Sequence, residues 1–209
     1  MCGRFALTAT TKDIEKLLPG FNADNPFNSR HNIAPTQNIV TALSSEPTLL
    51  QEVKWGLIPS WSKDFKIASK MINARAETLS EKPSFRQLIN RKRCLIFADA
   101  FYEWKTIPES KKKIPHIIYF KDGIPFTFGG LWEQWKDESS GTILTTATII
   151  TTTANELIST IHNRMPVIID EQYRKDWLDI SIKFSELSEL TNSREIDKLI
   201  IEPYEFQSN

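Results

Sequence analysis

The most reactive residue of the sequence is Cys2, which directly follows the initiator methionine. Because the side chain of cysteine is small, we expect Met1 to be removed, which leaves Cys2 with a free α-amine beside its thiol. Such an amine titrates at about pH 8 and a thiol at about pH 8.5, so both are nucleophiles near neutral pH. The amine could form an imine with an aldehyde, and the thiol could then close a five-membered thiazolidine ring. A cysteine at this position is also compatible with having no chemical role.

The residues that follow Cys2 indicate how this segment is held. In an extended strand, alternate side chains point to opposite faces, so Cys2 and Arg4 are expected on one face. Gly3, Phe5 and Leu7 would then point to the other face and anchor the segment in a core.

Two polar residues stand in surroundings that suggest chemistry. Asn73 begins a polar row with Arg75 and Glu77, and these three share one face if the segment is extended. Glu103 lies in the aromatic run 101–104, where a carboxylate pairs with a cation, reaches the end of the strand or takes part in proton transfer. Only the last two alternatives suggest acid–base chemistry.

A histidine with a nearby arginine follows a predicted helix. Pro166 disfavours a helical conformation at Met165, so the segment from His162 should be extended. His162 and Arg164 then share one face. An isolated histidine is often structural, but the junction between two elements is a frequent location for functional groups.

Together, Cys2, Asn73, Glu103 and His162 suit an N-terminal nucleophile that attacks a carbonyl group. Glu103 would shuttle protons, Asn73 would orient or polarise an oxygen, and His162 would act as a second acid or base. The sequence contains no Gly-rich phosphate loop, no histidine pair at metal-binding spacing and no Cys-x-x-Cys motif. We therefore expect neither a metal nor a cofactor.

Composition limits the possible classes of protein. The 209 residues are 40% hydrophobic, which suits one domain over 1–209. Lys+Arg and Asp+Glu both total 26, so a polyanion such as DNA would have to bind to a local patch. Two cysteines are too few for a disulfide framework, and no apolar run is long enough to span a membrane. A cytoplasmic monomer is expected.

The elements that must position these residues are of mixed α and β type. The threonines at 8–11 cap a predicted short helix that ends at Pro19-Gly20. Alternating apolar residues over 49–55 predict a half-buried strand, and the stretch 55–61 predicts a stiff aromatic turn. The apolar run from Cys94 to Lys105 predicts one long buried strand, in which Cys94 is a core thiol.

The second half of the chain shows turn and cap signals. The stretch Lys121–Ile124 predicts a two-residue hairpin that joins strands over 117–120 and 126–132. The β-branched run 142–153 predicts a central strand, followed by a helix over 156–161 that Asn155 caps.

Four further helices and one strand complete the expected elements. A capped helix is expected around Phe85, Leu88 and Ile89, and Asp170 is expected to cap a helix around Trp177. The remainder to Asn209 reads as two short helices and a strand.

Aromatic and basic side chains suggest where a nucleic acid could bind. The indole rings of Trp55 and Trp61 could stack on bases. Arg86 belongs to the clearest basic cluster, which continues over 91–93. A charge cluster of this kind is also compatible with a solvated helix end, and the tryptophans are compatible with ordinary core packing.

Six ordered blocks of the sequence resemble the SRAP family, the SOS-response-associated peptidase-like proteins that are also called abasic-site processing proteins. The blocks span 1–169, and the start of the chain and the Asn-Ala-Arg-x-Glu block are the most specific. Residues 170–209 show no clear counterpart of the C-terminal family motif. The blocks are Met1-Cys2-Gly3-Arg4-Phe5, Arg30-His31-Asn32-Ile33-Ala34-Pro35, Trp55-Gly56-Leu57-Ile58-Pro59, Ile72-Asn73-Ala74-Arg75-Ala76-Glu77-Thr78, Phe101-Tyr102-Glu103-Trp104-Lys105 and Ile161-His162-Asn163-Arg164-Met165-Pro166.

The resemblance implies a fold and a reaction. The fold would be a single α+β domain with a twisted, barrel-like antiparallel sheet flanked by short helices. The reaction would be a covalent crosslink to an abasic site in single-stranded DNA, which shields the lesion during replication and associates the protein with the nucleoid. Cys2 would form the thiazolidine, Glu103 and His162 would help to open the sugar ring, and Asn73 would hold the lesion. The proposed DNA contacts are Arg4, Trp55, Trp61, Arg75, Arg86 and Arg164.

Two other functions remain open from the sequence. The same aminothiol would suit a thiol peptidase or autopeptidase, which also requires a cysteine, a histidine and an orienting polar group. A non-covalent binder of single-stranded DNA would need only the tryptophans and arginines, and its binding would be salt-sensitive.

Overall fold

The computed structural model describes residues 2–110 and 112–206, so Met1 and the tail 207–209 lie outside the described residues. Short helices flank an extensive β-structure. The α-helices α1 to α4 are Thr11–Leu17, Glu156–Ser159, Arg174–Leu178 and Phe184–Leu187, and the 3₁₀ helices are Phe65–Lys70, Ala76–Thr78, Leu88–Asn90, Glu171–Tyr173 and Ser188–Thr191. The strands β1 to β14 are Phe5–Leu7, Asn22–Ala23, Arg30–Ile33, Asn38–Leu43, Glu46–Trp55, Asn73–Arg75, Arg93–Ala98, Ala100–Thr106, Lys113–Phe120, Phe126–Lys136, Ile143–Thr153, Arg164–Pro166, Ile168–Ile169 and Leu199–Pro203.

Five of the strands close into a barrel. They follow the order β11-β10-β7-β4-β5, and β5 pairs back onto β11 in parallel orientation, with Ala147 opposite Trp55. The other neighbouring pairs of the barrel are antiparallel. A closed barrel leaves no unpaired sheet edge. The predicted α+β fold with a barrel-like antiparallel sheet is therefore confirmed.

A second, five-stranded antiparallel sheet with the order β14-β9-β8-β1-β3 carries the start of the chain. Its strand β1 pairs with β8 so that Phe5 lies opposite Phe101. The ring of Phe5 also contacts Trp55 of the barrel at 5.1 Å and Phe128 at 5.8 Å between ring centroids. These edge-on aromatic contacts join the two sheets and fix the position from which the chain leads back to Cys2.

The expected long strand from Cys94 to Lys105 is instead two strands in different sheets. β7 belongs to the barrel and β8 to the second sheet, and Asp99 lies between them. The carboxylate of Asp99 accepts hydrogen bonds from the backbone N–H and hydroxyl of Thr8, at 2.5 and 2.7 Å, and from the N–H of Ala9 at 2.9 Å. Apolar residues continue on both sides of Asp99, so the pattern did not reveal this break.

The hairpin predicted at Lys121–Ile124 is wrong. Gly123 does form a tight turn with a φ of 70°, and its N–H donates to the carbonyl of Phe120. However, β9 and β10 on either side belong to different sheets. Lys121 donates its N–H to Lys198, so the chain after β9 is held by the segment before β14.

The helix predictions are mostly confirmed. Thr10 and Asp13 form a capping box at the start of α1, and Asn155 caps α2 through its side chain. Asp170 forms no such cap, because its carboxylate pairs with Arg194 at 2.7 Å. The helix expected around residues 85–89 is a series of turns that ends in the 3₁₀ helix 88–90.

The C-terminal segment is fastened to the barrel by Arg93, a fully buried arginine of β7. Its guanidinium donates to the backbone carbonyls of Trp177, Asp179 and Ile182 at 2.6, 2.6 and 3.1 Å, and also to that of Ile89. Five guanidinium N–H groups can satisfy several carbonyls at once, which a lysine could not do in this planar arrangement.

Within 2–110 and 112–206, none of the helices has the length and apolar character needed to cross a lipid bilayer.

Candidate active site

Cys2 lies three residues before the start of β1, and its side chain is completely buried. It packs in the same apolar cluster as Phe5 and Leu7, whereas alternation along a strand predicts that it faces away from them. The reason is that the strand begins only at Phe5, so its alternation does not extend back to Cys2. Burial, and secondarily the negative charge of Glu103, raise the pKa of the Cys2 thiol. The positive charge of the chain's terminal amine acts in the opposite direction and lowers the pKa of this thiol.

Asn73 holds the backbone of Cys2. It is the first residue of β6, where it lies opposite Ile149 of the barrel strand β11. Its side-chain Nδ2 donates to the carbonyl oxygen of Cys2 at 2.8 Å. The Oδ1 atom of the same amide is buried and has no hydrogen-bond partner among the described residues. Asn73 thus fixes the peptide that follows the reactive residue and presents a further acceptor beside it.

The strand that carries Asn73 is itself fixed through Ile72. The carbonyl of Ile72 accepts the indole N–H of Trp55 at 2.9 Å and the backbone N–H of Ile149 at 3.1 Å. Since both donors belong to barrel strands, the amide of Asn73 is positioned by the rigid part of the molecule.

Glu103 lies on β8 and is only 3% exposed. Side chains alternate along this strand, so the carboxylate shares a face with Phe101, which packs into the main core. Tyr102 and Trp104 point to the opposite face, where they contact an aromatic cluster. The carboxylate is close enough to the thiol of Cys2 for its charge to raise the pKa of that thiol. A buried carboxylate at this position can move a proton between groups bound next to Cys2.

His162 follows α2 and is half-buried. The backbone N–H of Arg164 donates to its Nδ1 at 3.0 Å. The same Nδ1 also lies 3.2 Å from the carbonyl oxygen of Arg164, so it accepts from the N–H in one tautomer and donates to the carbonyl in the other. Arg164 thus holds the imidazole by its backbone in either tautomer.

The side chain of Arg164 is engaged within the protein. Its guanidinium forms a bidentate ion pair with the carboxylate of Glu77, with N···O distances of 2.5 and 2.9 Å. It also donates to the backbone carbonyl of Thr151 at 2.7 Å. The hydrogen bonds from Arg164 hold the pKa of Glu77 below its usual range. A phosphate contact by Arg164 would have to compete with this carboxylate.

The other predicted DNA contacts differ in accessibility. Trp61 is 62% exposed, and Arg75 and Arg86 are also exposed. Arg4 is half-buried and donates through Nη1 to Asn32 at 2.8 Å. The prediction for Trp55 requires correction, because its indole is fully buried and cannot stack on a base.

Two polar residues that support the site, Asn32 and Glu77, lie in blocks that resemble the family but were not predicted as site residues. Asn32 binds Arg4 from 28 positions away, and Glu77 binds Arg164 from 87 positions away. Their roles depend on strand pairing, which the sequence spacing does not reveal. For Glu77, the polar row that it shares with Asn73 and Arg75 was a further indication.

The fold and site together define a small β-barrel protein whose chain start carries a buried cysteine beside an amide and a carboxylate. The sequence profile of the family "SOS response associated peptidase (SRAP)" matches residues 1–205. The chain belongs to this family. The match includes 170–205, where the sequence shows no clear family motif.

Named relatives and a solved structure agree with this assignment. The abasic site processing protein YoqW of Bacillus subtilis (strain 168) is 49% identical over 185 residues, which are 86% of this chain and 80% of the relative. The abasic site processing protein YedK of Escherichia coli (strain K12) is 32% identical over 202 residues, 92% of this chain and 86% of the relative. A crystal structure of a protein from Bacteroides thetaiotaomicron superposes with a TM-score of 0.88 at 28% identity and covers 98% of this chain and 92% of that one.

Proposed function

We propose that this protein processes abasic sites in single-stranded DNA by forming a covalent crosslink through Cys2. The observation that carries the proposal is the environment of Cys2. Its carbonyl is held by Asn73 at 2.8 Å, and its thiol lies close enough to Glu103 for that charge to act on it. The names of the relatives YoqW and YedK support abasic sites as the substrate.

The reaction would proceed in two additions to the sugar aldehyde. Glu103 would take the proton of the C1′ hydroxyl and help to pass a proton to the ring oxygen, which opens the hemiacetal; the imidazole of His162 would assist. The α-amine of Cys2, freed by removal of Met1, attacks C1′, and loss of water gives the imine. The thiol sulfur then adds to the imine carbon while its proton moves to the nitrogen. The product is a thiazolidine, formed with net loss of one water.

Asn73 has two roles in this proposal. Its Nδ2 keeps the Cys2 peptide in place, which limits the orientations of the amine and thiol. Its buried Oδ1 acceptor would bind a hydroxyl group of the opened sugar, since an unsatisfied buried acceptor is costly and gains from such a donor.

The buried surroundings of the Cys2 thiol favour this reaction over thiol peptidase activity. A cysteine peptidase requires a thiolate as its first nucleophile, and such thiols have lowered pKa values. Burial and Glu103 raise the pKa of Cys2 instead. In crosslink formation the amine attacks first, and a neutral thiol is sufficient for closing the ring.

The DNA strand would be held by exposed aromatic and basic groups. The indole of Trp61 is accessible for stacking on a base, and the guanidinium groups of Arg75 and Arg86 are accessible to phosphates. Arg4 would add a contact next to Cys2. Because Trp55 is buried, we no longer include it among the DNA contacts.

The test is an intact-mass measurement of the purified protein mixed with a single-stranded oligonucleotide that carries one abasic site. We expect a species whose mass is the sum of Met1-free protein and oligonucleotide minus one water. An otherwise identical oligonucleotide with an intact base should give no adduct, and a variant with a non-cleavable N-terminal extension should not react. Reaction of that extended variant at the normal rate would refute the role of the α-amine.

A further inference from the structure

The segment 56–72, which we call the arm, leaves the barrel at the end of β5 and returns to it at the start of β6. Its two ends are joined, because the backbone N–H of Leu57 donates to the carbonyl of Met71 at 3.0 Å. Asn73, whose side chain holds the carbonyl of Cys2, follows the arm directly. The arm is therefore rooted beside the candidate active site.

The arm has a small buried core of its own. Ile58 and Ala68 pack with Trp135 of β10 in a cluster separate from the main core. The indole N–H of Trp135 also donates to the carbonyl of Ser62 at 2.6 Å. Gly56 has a φ of 123°, and a Cβ at this position would lie 2.4 Å from the carbonyl oxygen of Ala68, so the two sides of the arm touch. These contacts give the arm a defined shape on the barrel.

Two aromatic rings are exposed on the arm. Trp61 is 62% exposed and Phe65 is 57% exposed, and no other Phe, Trp or Tyr side chain of the described ranges is more than half exposed. Lys63 and Lys66 are exposed beside them, whereas the carboxylate of Asp64 accepts the backbone N–H of Lys66. A single exposed apolar side chain needs no explanation. Two rings interleaved with lysines are the combination with which proteins bind single-stranded nucleic acid.

We propose that Phe65 is a second stacking residue for DNA, so that the arm binds unpaired bases of the strand beside the abasic site. One base stacks on Trp61 and another on Phe65, and Lys63 and Lys66 contact the phosphates. This inference rests on the proposed function for the identity of the ligand. It adds a residue that lies outside the six blocks of the sequence that resemble the family.

The position and the charge of the arm favour a DNA strand over a protein as the occupant. The arm joins Asn73, so a strand whose lesion reaches Cys2 comes close to its base. The whole chain has no net charge, but the part 59–70 contains three lysines and one aspartate, which is a local excess of positive charge. Stacking on a side chain requires a base with a free face. The arm therefore selects a flank that is single-stranded.

The direct test is the equilibrium binding of a single-stranded oligonucleotide with intact bases, measured by fluorescence anisotropy. Without a lesion no crosslink forms, so the result does not depend on chemistry at Cys2. We expect Phe65→Ala to weaken binding by about fivefold or more, the loss that removal of one stacking partner causes. Phe65→Tyr should bind like the wild type, whereas Phe65→Leu, which is apolar but not planar, should bind as weakly as Phe65→Ala.

The control variant is Ile143→Ala, which removes an apolar side chain that is 62% exposed at the start of β11 and should bind normally. Unchanged affinity of Phe65→Ala would overturn the proposal. Normal binding by Phe65→Leu together with weak binding by Phe65→Ala would indicate a simple apolar contact and would overturn stacking. A dimer of the DNA-free protein that Phe65→Ala abolishes, detected by light scattering, would assign the ring to a second copy of the chain instead.

A second test uses DNA that offers no free base faces. Duplex DNA of the same sequence should bind equally well to the wild type and to Phe65→Ala, because its bases are stacked within the helix. A loss of duplex affinity as large as the loss of single-strand affinity would contradict the role of unpaired bases.

A third test links the arm to the reaction. With an abasic oligonucleotide at limiting concentration, Phe65→Ala should slow crosslinking by the factor by which it weakens binding, and the rate at saturating DNA should be unchanged. The reason is that Phe65 binds only flanking bases. A lower rate at saturation would contradict this. If the wild type formed no crosslink, the proposed function would fail, and the binding measurement would still decide the role of Phe65.

Discussion

The two cysteines of the chain allow a comparison between the site and the barrel wall. Cys2 and Cys94 are both fully buried, and burial raises the pKa of both thiols. The surroundings of the two thiols differ. Cys94 lies on β7 between β4 and β10, and burial alone accounts for its pKa. Cys2 has a carboxylate and a side-chain amide beside it. Burial is thus common to both cysteines, and the polar neighbours distinguish the surroundings of Cys2, which we propose to be the reactive one, from those of Cys94.

Replacing each cysteine by alanine should separate the two positions most strongly. We expect Cys2→Ala to abolish the stable crosslink, because only the thiol can close the ring, while weaker DNA affinity remains. Cys2→Ser should leave at most an imine that a reducing agent can trap. Cys94→Ala should crosslink at the normal rate and lose about 1–2 kcal/mol of unfolding free energy. Denaturing gels after incubation with abasic single-stranded DNA measure the adduct, and an adduct of undiminished stability from Cys2→Ala would exclude the aminothiol mechanism.

The same contrast can be drawn between two buried carboxylates. Glu103→Gln should slow crosslinking by about 10² or more, because the amide cannot transfer a proton, and DNA affinity should change little. Glu133, which pairs with Lys92 at 2.5 Å on the barrel, is the control. Glu133→Gln should lower stability without slowing the reaction. Equal crosslinking rates for wild type and Glu103→Gln in single-turnover experiments would remove Glu103 from the mechanism.

The smallest expected effect concerns the packing around Cys94. A Cβ added at Gly130 would lie 2.8 Å from Sγ of Cys94 and 2.8 Å from the carbonyl oxygen of Thr148, which cannot move without distorting β11. We expect Gly130→Ala to lower the free energy of unfolding, measured by chemical denaturation, by about 1–3 kcal/mol. Crosslinking by the folded protein should be unchanged. Gly129→Ala, whose nearest contacts of 3.2 to 3.3 Å are with side chains, should cost less. If Gly130→Ala and Gly129→Ala lowered the free energy of unfolding equally, the barrel wall around Gly130 would be less tightly packed than the structure indicates.

The sequence predicted local features well wherever they depend on neighbouring residues. The cap of α1 by Thr10, the cap of α2 by Asn155 and the strand over 143–153 are all present, because each signal lies within a few positions of its effect. The break at Asp99 was missed, because its partners Thr8 and Ala9 lie about 90 positions away. The turn at Gly123 was predicted, but not that its two strands enter different sheets.

The same limit applies to the site. Residue type and chemistry selected Cys2 and Glu103, and the charge of Glu103 does act on the Cys2 thiol. The exposure of Trp55 was misjudged, because an aromatic residue next to a turn reads the same whether its ring points outward or into a barrel. The pairing of Glu77 with Arg164 depends on the order of strands around β11, which no short-range pattern contains.

Arg93 has a consequence for how the chain can be shortened. The carbonyls that receive its guanidinium at 177–182 come from a segment in which the sequence shows no clear family motif. A truncated chain that stopped before Trp177 would lose three of the four carbonyls that accept hydrogen bonds from the guanidinium of Arg93, together with the packing around it, which should lower the free energy of unfolding by about 3–5 kcal/mol. The segment 177–182, which looks dispensable in the sequence, is therefore needed to bind and cover Arg93, and a minimal active fragment has to retain it.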